Sequence, residues 1–234
     1  MDLTRTEEER LLRDTVRGLG DQRVRPHAAA WDRARALPAE LWAELGERTL
    51  AQRVAKPLAS TGFVLVALAA GATGSPYGQW VLAALVLSWV GDVCLLSSRS
   101  GWFLAGLGAF LLGHVAFGAA FWTLGPAPGW VLGSAAGLAG VALGVRHWLG
   151  PYVPTGMRRP VDAYMLVISA MVALALGATA AGASPRVALG AVAFYLSDLA
   201  VARDRFVSPS ASNRLWGLPL YYGAQLVLAS TIAA

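Results

Sequence analysis

Seven apolar stretches follow one another along the chain from about residue 55 to its end, and each is close to the length of a membrane-crossing helix. A helix of about 20 residues crosses roughly 30 Å of hydrocarbon. Short segments rich in Gly, Pro, Ser and Asn separate the stretches and favour turns. We therefore predict an all-α polytopic bundle of about seven transmembrane helices. The predicted spans are residues 55–73, 78–98, 101–123, 128–148, 161–181, 186–203 and 214–234.

Residues 1–48 have a different pattern, because they are rich in charge and place apolar residues at helical spacing only from Leu11 to Leu19. Pro26 separates two segments, and Pro38 precedes a second predicted helix. The runs TEEERLLRDTVR and VRPHAAAWD resemble the N-terminal helices of acyl-CoA dehydrogenases. The flavin-binding strands and catalytic base of that family have no counterpart further along. We expect two domains, a short soluble helical leader (1–48) without dehydrogenase activity and a transmembrane domain (54–234).

The composition agrees with a membrane protein and narrows its chemistry. Hydrophobic residues make up 56% of the 234 residues, charged residues 14%, and the mean hydropathy is +0.52, which excludes an ordinary soluble domain. The single Cys94 cannot form an internal disulfide and is interpreted as a packing residue. The sequence has no zinc-type His/Cys spacing and no Gly-rich phosphate loop, so neither a metal nor a cofactor is expected. Glycines such as Gly133, Gly137, Gly140 and Gly144 are expected to allow close helix contacts.

Basic residues fall almost entirely on one side of the predicted topology. Ten Lys or Arg residues lie next to the start of the first span or in the loops on that same side of the membrane. The opposite side has only Arg186. Since Lys and Arg collect in cytoplasmic loops, the N-terminus is predicted in the cytoplasm and the C-terminus outside. We expect an integral protein of a bacterial-type inner or plasma membrane. The net charge of +5 then indicates attraction to anionic lipid, with no need for nucleic acid.

Asp92 and Asp198 are the strongest functional candidates, because each lies inside an apolar span. A carboxylate at that depth costs roughly 2.5–3.5 kcal/mol on insertion scales, so it usually faces the bundle interior. Both are expected about 8–9 Å below the cytoplasmic ends of parallel spans, at 1.5 Å per residue. A polar chamber that opens towards the cytoplasm is therefore predicted. Its other candidate lining residues, proposed to bind substrate, are Lys56, His114, Tyr164, Tyr195, Asn213 and Tyr221.

Each candidate also has a simpler explanation. Lys56 suits an interface anchor, His114 suits a bond to a helix carbonyl, and tyrosines near span ends suit the aromatic belt. The aspartates themselves suit a polar clasp between helices. A transporter uses similar intramembrane acids, although the sequence shows no convincing internal repeat. A non-catalytic membrane protein is a further alternative.

Several blocks, in order, resemble the YhhN-like lysoplasmalogenase family of integral membrane proteins. The blocks are LAALVLSWVGDVCLL, WFLAGLGAFLLGHVAFGAAF, VDAYMLVISAMVALAL, LGAVAFYLSDLAVARDRFV and NRLWGLPLYYGAQLVLA, with Lys56-Pro57-Leu58 as a further match. Members usually have eight spans, and here the leader takes the place of the first. The resemblance implies hydrolysis of the vinyl ether bond of a lysophospholipid, giving a fatty aldehyde and a glycerophospho-choline or glycerophospho-ethanolamine. The expected partners are this substrate and the lipid bilayer, and the oligomeric state stays open.

The implied chemistry suits a pair of carboxyl groups. Vinyl ethers resist base but are cleaved by acid, through protonation of the β-carbon and attack of water on the resulting oxocarbenium ion. Two neighbouring carboxyl groups in a medium of low dielectric constant cannot both ionise easily, so one is expected to remain a proton donor. The hypothesis is that one of Asp92 and Asp198 is the general acid while the other stabilises the cation and accepts a proton from water. The sequence does not distinguish the two assignments.

Overall fold

The computed structural model describes residues 39–97, 100–208 and 210–233. The predicted leader up to residue 38 lies outside the described residues, as does most of its resemblance to acyl-CoA dehydrogenases. Within the described ranges the chain is all α-helical, as predicted, and contains no β-strand. Short 3-10 turns and one π-turn, Arg203–Val207, connect or end the long helices.

Seven long helices account for most of the residues that the structure describes. Numbered in chain order, they are α1 Ala39–Ala69, α2 Pro76–Cys94, α3 Ser100–Thr123, α4 Pro128–Leu149, α5 Arg158–Ala180, α6 Pro185–Ala202 and α7 Ala211–Ser230. Each corresponds to one predicted span, and most ends fall within a few residues of the predicted ones. The first residues of α2, α4 and α6 are Pro76, Pro128 and Pro185. Proline is tolerated at this position because the N–H that it lacks would have no acceptor within the helix.

Five of these helices are long and apolar enough to cross a membrane. The apolar segments are Pro76–Cys94, Gly101–Thr123, Pro128–Leu149, Thr155–Ala180 and Pro185–Val207. The apolar part of α1, Val54–Ala69, is shorter, and α7 is long enough but too polar to meet the same criterion. Both helices nevertheless pack into the bundle, and both contribute polar side chains to its interior. The polytopic helix bundle is therefore confirmed, with the first and last spans the least apolar.

Helix α1 is longer than the predicted first span. It begins at Ala39 and continues through Pro57 to Ala69, so the backbone has no break near residues 48–54, where the leader was expected to end. Pro57 cannot donate a hydrogen bond to the preceding turn. One turn later, Thr61 Oγ1 donates a hydrogen bond back to the Pro57 carbonyl (2.8 Å).

Six helices form a closed arrangement around the core, and α4 lies outside it. Helix α2 packs on α1 and α3, α3 packs on α5, α5 on α6, α6 on α7, and α7 returns to α1. Helix α4 packs on α5 and leaves most of its surface exposed. Aromatic side chains fill the centre, including Phe63, Phe117, Phe121 and Phe194, all fully buried. The polar residues of interest lie among these rings.

The close helix contacts use glycines other than the four singled out by the sequence. A Cβ at Gly133, Gly137, Gly140 or Gly144 would meet no atom within 4 Å, because these residues lie on the exposed surface of α4. Their expected packing role is therefore wrong. By contrast, a Cβ at Gly217 of α7 would lie 2.7 Å from Ala200 Cβ of α6. A Cβ at Gly91 of α2 would lie 2.6 Å from the Phe110 ring of α3, so these glycines set the helix spacing beside both aspartates.

Candidate active site

Asp92 is buried near the end of α2 and is surrounded by three donors. Its side chain is 2% exposed. Oδ1 lies 3.2 Å from the Lys56 ammonium nitrogen, while Oδ2 accepts hydrogen bonds from Ser60 Oγ (2.6 Å) and Tyr221 OH (2.7 Å). A buried charge is tolerated only when it is paired and hydrogen-bonded. The Lys56 cation and the two hydroxyl donors provide that compensation for Asp92.

Local helix geometry explains why α1 supplies two of these donors. Lys56 and Ser60 are four residues apart, so their side chains lie one turn apart on the same face of the helix. The Lys56 side chain is 27% exposed, which places its ammonium group between the buried carboxylate and the bundle surface. Tyr221, in the middle of α7, donates to Asp92 Oδ2, the oxygen that also accepts from Ser60. Asp92 therefore links three helices, α1, α2 and α7.

Asp198 of α6 is the centre of a second polar cluster. Its Oδ2 accepts a hydrogen bond from Tyr164 OH of α5 (2.6 Å) and lies 3.2 Å from His114 Nε2 of α3. The same His114 nitrogen is 2.9 Å from Tyr164 OH, so the three groups form a compact triangle. The Asp198 side chain is 18% exposed, more than that of Asp92. His114 is enclosed, and its Nδ1 has no hydrogen-bond partner among the described residues.

Aromatic rings join the two clusters. Phe194, one helical turn before Asp198, contacts the His114 ring at a centroid distance of 4.6 Å and the Tyr221 ring at 5.5 Å. Tyr221 is the residue that binds Asp92, so a continuous set of contacts runs from one carboxylate to the other. Within the described part of the chain, neither carboxylate forms a hydrogen bond with the other. Each carboxylate therefore interacts with its own set of partner side chains, and the two are not joined by a shared proton.

The remaining predicted site residues lie elsewhere. Asn213 is buried where α6 is connected to α7, and it bonds with Arg203, Asp204 Oδ1 (3.1 Å) and the Ser208 carbonyl (2.8 Å). Those bonds use its amide to close the connection between the helices. Tyr195 is buried in the core, and within the described part of the chain its hydroxyl forms no hydrogen bond with either aspartate. The structure therefore brings Lys56 and Tyr221 to Asp92, and His114 and Tyr164 to Asp198, but not Asn213 or Tyr195.

Two polar residues near Asp92, Ser60 and Gln225, were not among the predicted residues of the site. Ser60 binds the carboxylate directly, and its position four residues after Lys56 was a usable signal. The Tyr222 hydroxyl faces Ser60 and Asp92, and the Gln225 amide faces the Tyr221 hydroxyl. Gln225 is fully buried, and a buried amide four residues after a site tyrosine was also recognisable from spacing.

The side-chain inventory indicates acid–base chemistry. Two carboxyl groups, an imidazole and two phenols lie inside an apolar bundle, with one carboxylate paired to a lysine. Among residues 39–97, 100–208 and 210–233, no group of three or more His, Cys, Asp or Glu side chains is placed to hold a metal ion. A cavity of about 320 Å³ lies apart from the carboxylates, between the end of α4 and the start of α5, where Arg146 pairs with Asp162 at 3.3 Å.

Comparison with known proteins gives relatives that share one name. The chain is 34% identical over 168 residues to a protein named lysoplasmalogenase from Mycobacterium tuberculosis (strain CDC 1551 / Oshkosh), covering 67% of this chain and 61% of that protein. It is 34% identical over 152 residues to lysoplasmalogenase TMEM86B of Mus musculus, covering 64% and 62%. The human TMEM86B is 31% identical over 161 residues, covering 65% and 62%. The chain thus spans about six tenths of the length of these curated relatives.

No solved structure matches the chain. The model of the YhhN family matches residues 51–232, which include every residue of both carboxylate clusters. Since this match covers well over half of the sequence, the chain is a member of the YhhN family.

Proposed function

We propose that this protein is a lysoplasmalogenase, which hydrolyses the vinyl ether bond of an alkenyl lysophospholipid to a fatty aldehyde and a glycerophospho-choline or glycerophospho-ethanolamine. The names of its relatives support this substrate class. The site supports it chemically, because acid cleavage of a vinyl ether needs a proton donor and a group that stabilises a cation. Both kinds of group occur in the apolar interior of the bundle.

The observation that carries the mechanism is the unequal surroundings of the two carboxyl groups. Both oxygens of Asp92 are occupied by donors, one of them the Lys56 cation. Asp198 uses Oδ2 for both of its partners, and within the described residues Oδ1 has none. Oδ1 of Asp198 is therefore the oxygen suited to carry a transferable proton. We assign Asp198 as the general acid, and Asp92 as the carboxylate that stabilises the cation and accepts a proton from water.

The proposed reaction begins with transfer of the Asp198 proton to the β-carbon of the vinyl ether. The C=C electron pair forms the new C–H bond, and an oxocarbenium ion results. The negative charge of Asp92 stabilises this cation and accepts a proton from water as the water oxygen attacks the former α-carbon. The hemiacetal then loses its hydroxyl proton to the leaving glycerol oxygen, the C–O bond breaks and the aldehyde is released. Proton return from Asp92 to Asp198 restores the starting state.

The test measures fatty aldehyde release by the purified, detergent-solubilised protein from a 1-alkenyl lysophosphocholine. General acid–base groups contribute about 10²–10⁴-fold, so Asp198→Asn and Asp92→Asn should each lose that much activity while remaining folded. Asp162→Asn is the matched control, because Asp162 is paired with Arg146 away from the carboxylate clusters. Folded Asp198→Asn protein with more than about a tenth of the wild-type rate would rule out its assignment as the acid.

The orientation is part of the same proposal. With the basic loops in the cytoplasm, both carboxylates lie in the cytoplasmic half of the membrane, and substrate enters from that leaflet. The protein then belongs to a bacterial-type inner or plasma membrane. The test of this orientation starts from a variant in which Cys94 is replaced by Ala. A single cysteine is then introduced at Arg186 or at Arg158, and its labelling by a membrane-impermeant thiol reagent is measured in sealed vesicles. Arg186→Cys should react from the outside and Arg158→Cys should not; the reverse result would invert the topology.

A further inference from the structure

Two side chains beside Asp92, the buried Gln225 and the half-buried Tyr222, hold buried polar atoms without a well-formed hydrogen bond to the described residues. In the part of the chain that the structure describes, Gln225 Nε2, Gln225 Oε1 and Tyr222 OH have no hydrogen-bond partner. Gln225 is fully buried, so its amide is enclosed rather than solvated. Buried polar groups in folded proteins are almost always hydrogen-bonded, and each exception calls for an explanation. The simplest explanation is that these atoms bind a polar group of another molecule.

These unsatisfied atoms belong to the Asp92 cluster. Gln225 follows Tyr221 by one helical turn on the same face of α7, and its amide lies near the Tyr221 hydroxyl without a well-formed hydrogen bond to it. The Tyr222 hydroxyl lies near Ser60 and Asp92, also without a well-formed bond. The Phe63 ring packs against both tyrosines, at centroid distances of 6.3 and 6.5 Å. The missing partner is therefore expected within the candidate active site.

One hydroxyl group can bond with all three of these atoms. Gln225 Nε2 carries two N–H donors, Tyr222 OH carries one, and Gln225 Oε1 is an acceptor. A hydroxyl group can accept from Gln225 Nε2 and from Tyr222 OH with its two lone pairs, and it can donate its proton to Gln225 Oε1. A lysophospholipid carries such a hydroxyl at its sn-2 carbon, two bonds from the ether oxygen. An ester at that carbon lacks the donor and would also bring a second chain against a fully enclosed side chain.

We propose that Gln225 and Tyr222 bind the free sn-2 hydroxyl of the substrate and thereby select the lyso form over a two-chain plasmalogen. This inference rests on the proposed hydrolysis and adds a specificity determinant to it. It also positions the substrate, because the hydroxyl held by α7 places the neighbouring vinyl ether beside the Asp92 carboxylate. A hydroxyl from water offers the same chemistry, and the experiment separates the two sources.

The experiment compares kcat/KM for aldehyde release from an alkenyl lysophosphocholine and from its 2-deoxy analogue. The wild type should prefer the hydroxylated substrate by at least about tenfold, because the deoxy compound leaves the buried amide unpaired. Gln225→Met should lose rate on the hydroxylated substrate only, so that the ratio falls to about one. Gln79→Met is the matched control at an exposed glutamine of α2, and it should keep the wild-type ratio.

Two results overturn the inference. One is a wild type that does not discriminate between the substrates. The other is a Gln225→Met protein that slows both substrates equally, which assigns the amide to water or to packing. Since the substitution removes unsatisfied polar atoms, thermal unfolding should occur at or above the wild-type temperature. Tyr222→Phe is the second variant, and it should reduce the substrate preference without abolishing it.

A binding measurement separates this inference from the proposed reaction. A saturated 1-alkyl lysophosphocholine has no vinyl ether to cleave, so its stabilisation of the protein against heat reports binding alone. In the wild type, the 1-alkyl lysophosphocholine should raise Tm more than its 2-deoxy counterpart does, and Gln225→Met should remove this difference. That result supports the hydroxyl site even if no aldehyde is ever released. Equal shifts in wild type and variant reject the hydroxyl site even if hydrolysis is observed.

Discussion

Replacing Lys56 with Met tests whether the ion pair neutralises Asp92. The ammonium nitrogen lies 3.2 Å from a carboxylate that is 2% exposed. At an effective dielectric constant of about 20, two unit charges at that distance attract by about 5 kcal/mol. Removal of one partner of a buried pair typically costs 3–5 kcal/mol, because the other charge stays buried. The 27% exposure of Lys56 weakens the pair, so we expect a loss of about 3 kcal/mol in the free energy of unfolding.

Asp92→Asn should cost less than Lys56→Met. The amide oxygen still accepts hydrogen bonds from neighbouring hydroxyls, and the partly exposed lysine can turn towards water, so about 1–2 kcal/mol is expected. The double variant should be no less stable than Asp92→Asn, which makes the coupling energy about 3 kcal/mol or more. Arg146→Met is the control, because its pair with Asp162 is exposed and exposed pairs contribute about 0–1 kcal/mol.

Thermal unfolding in detergent provides the readout for this cycle. At about 2–4 °C per kcal/mol for a chain of this size, Lys56→Met should lower Tm by about 6–12 °C, against at most about 4 °C for Arg146→Met. The double variant should recover at least about 1–2 kcal/mol of the loss caused by Lys56→Met. A coupling energy below about 0.5 kcal/mol would show that the two charges do not depend on each other, and the assignment of Asp92 as the charged partner of Lys56 would then fail.

The other predictions concern helix spacing and the second cluster. Gly217→Ala places two Cβ atoms 2.7 Å apart between α6 and α7, so the free energy of unfolding should fall by about 1–3 kcal/mol. Gly133→Ala meets open space and should be neutral or slightly stabilising. Equal Tm values for the two variants would contradict the close contact at Gly217. Tyr164→Phe removes a 2.6 Å bond to Asp198 Oδ2, so aldehyde release should fall by about tenfold with little change in KM. An unchanged kcat would exclude Tyr164 from positioning the acid.

Much of the candidate site could be predicted from the sequence, because an acidic residue in an apolar span is expensive wherever the helix points. That cost identified Asp92 and Asp198 without any knowledge of their neighbours. Depth along the helices also indicated which residues share one half of the membrane. Lys56 and Tyr164 were chosen on that basis, and each contacts a carboxylate. Asn213 satisfied the same depth criterion, yet its amide closes the connection between α6 and α7.

The partners of each carboxylate could not be predicted, since a helix that is apolar on all sides gives no signal of its rotation. The prediction that Gly133 and its neighbours pack against another helix failed for this reason, because α4 turns them outward. The pairing of Asp92 with Lys56, rather than with a second carboxyl group, likewise depends on how α1 and α2 face each other. The spacing of Gln225 from Tyr221 indicates a shared helix face, but only the structure shows that its amide is buried without a well-formed hydrogen bond to the described residues.

The sequence by itself determined the number and approximate ends of the long helices, their all-α class and the two buried acids. These features follow from local hydrophobicity, turn residues and the cost of burying charge, which act residue by residue. Only the tertiary structure decided that α4 lies outside the six-helix core, that Ser60 and Tyr221 bind Asp92, and that His114 and Tyr164 bind Asp198. Those outcomes depend on the rotation and order of packed helices, which close contacts such as the one at Gly217 fix after the helices have formed.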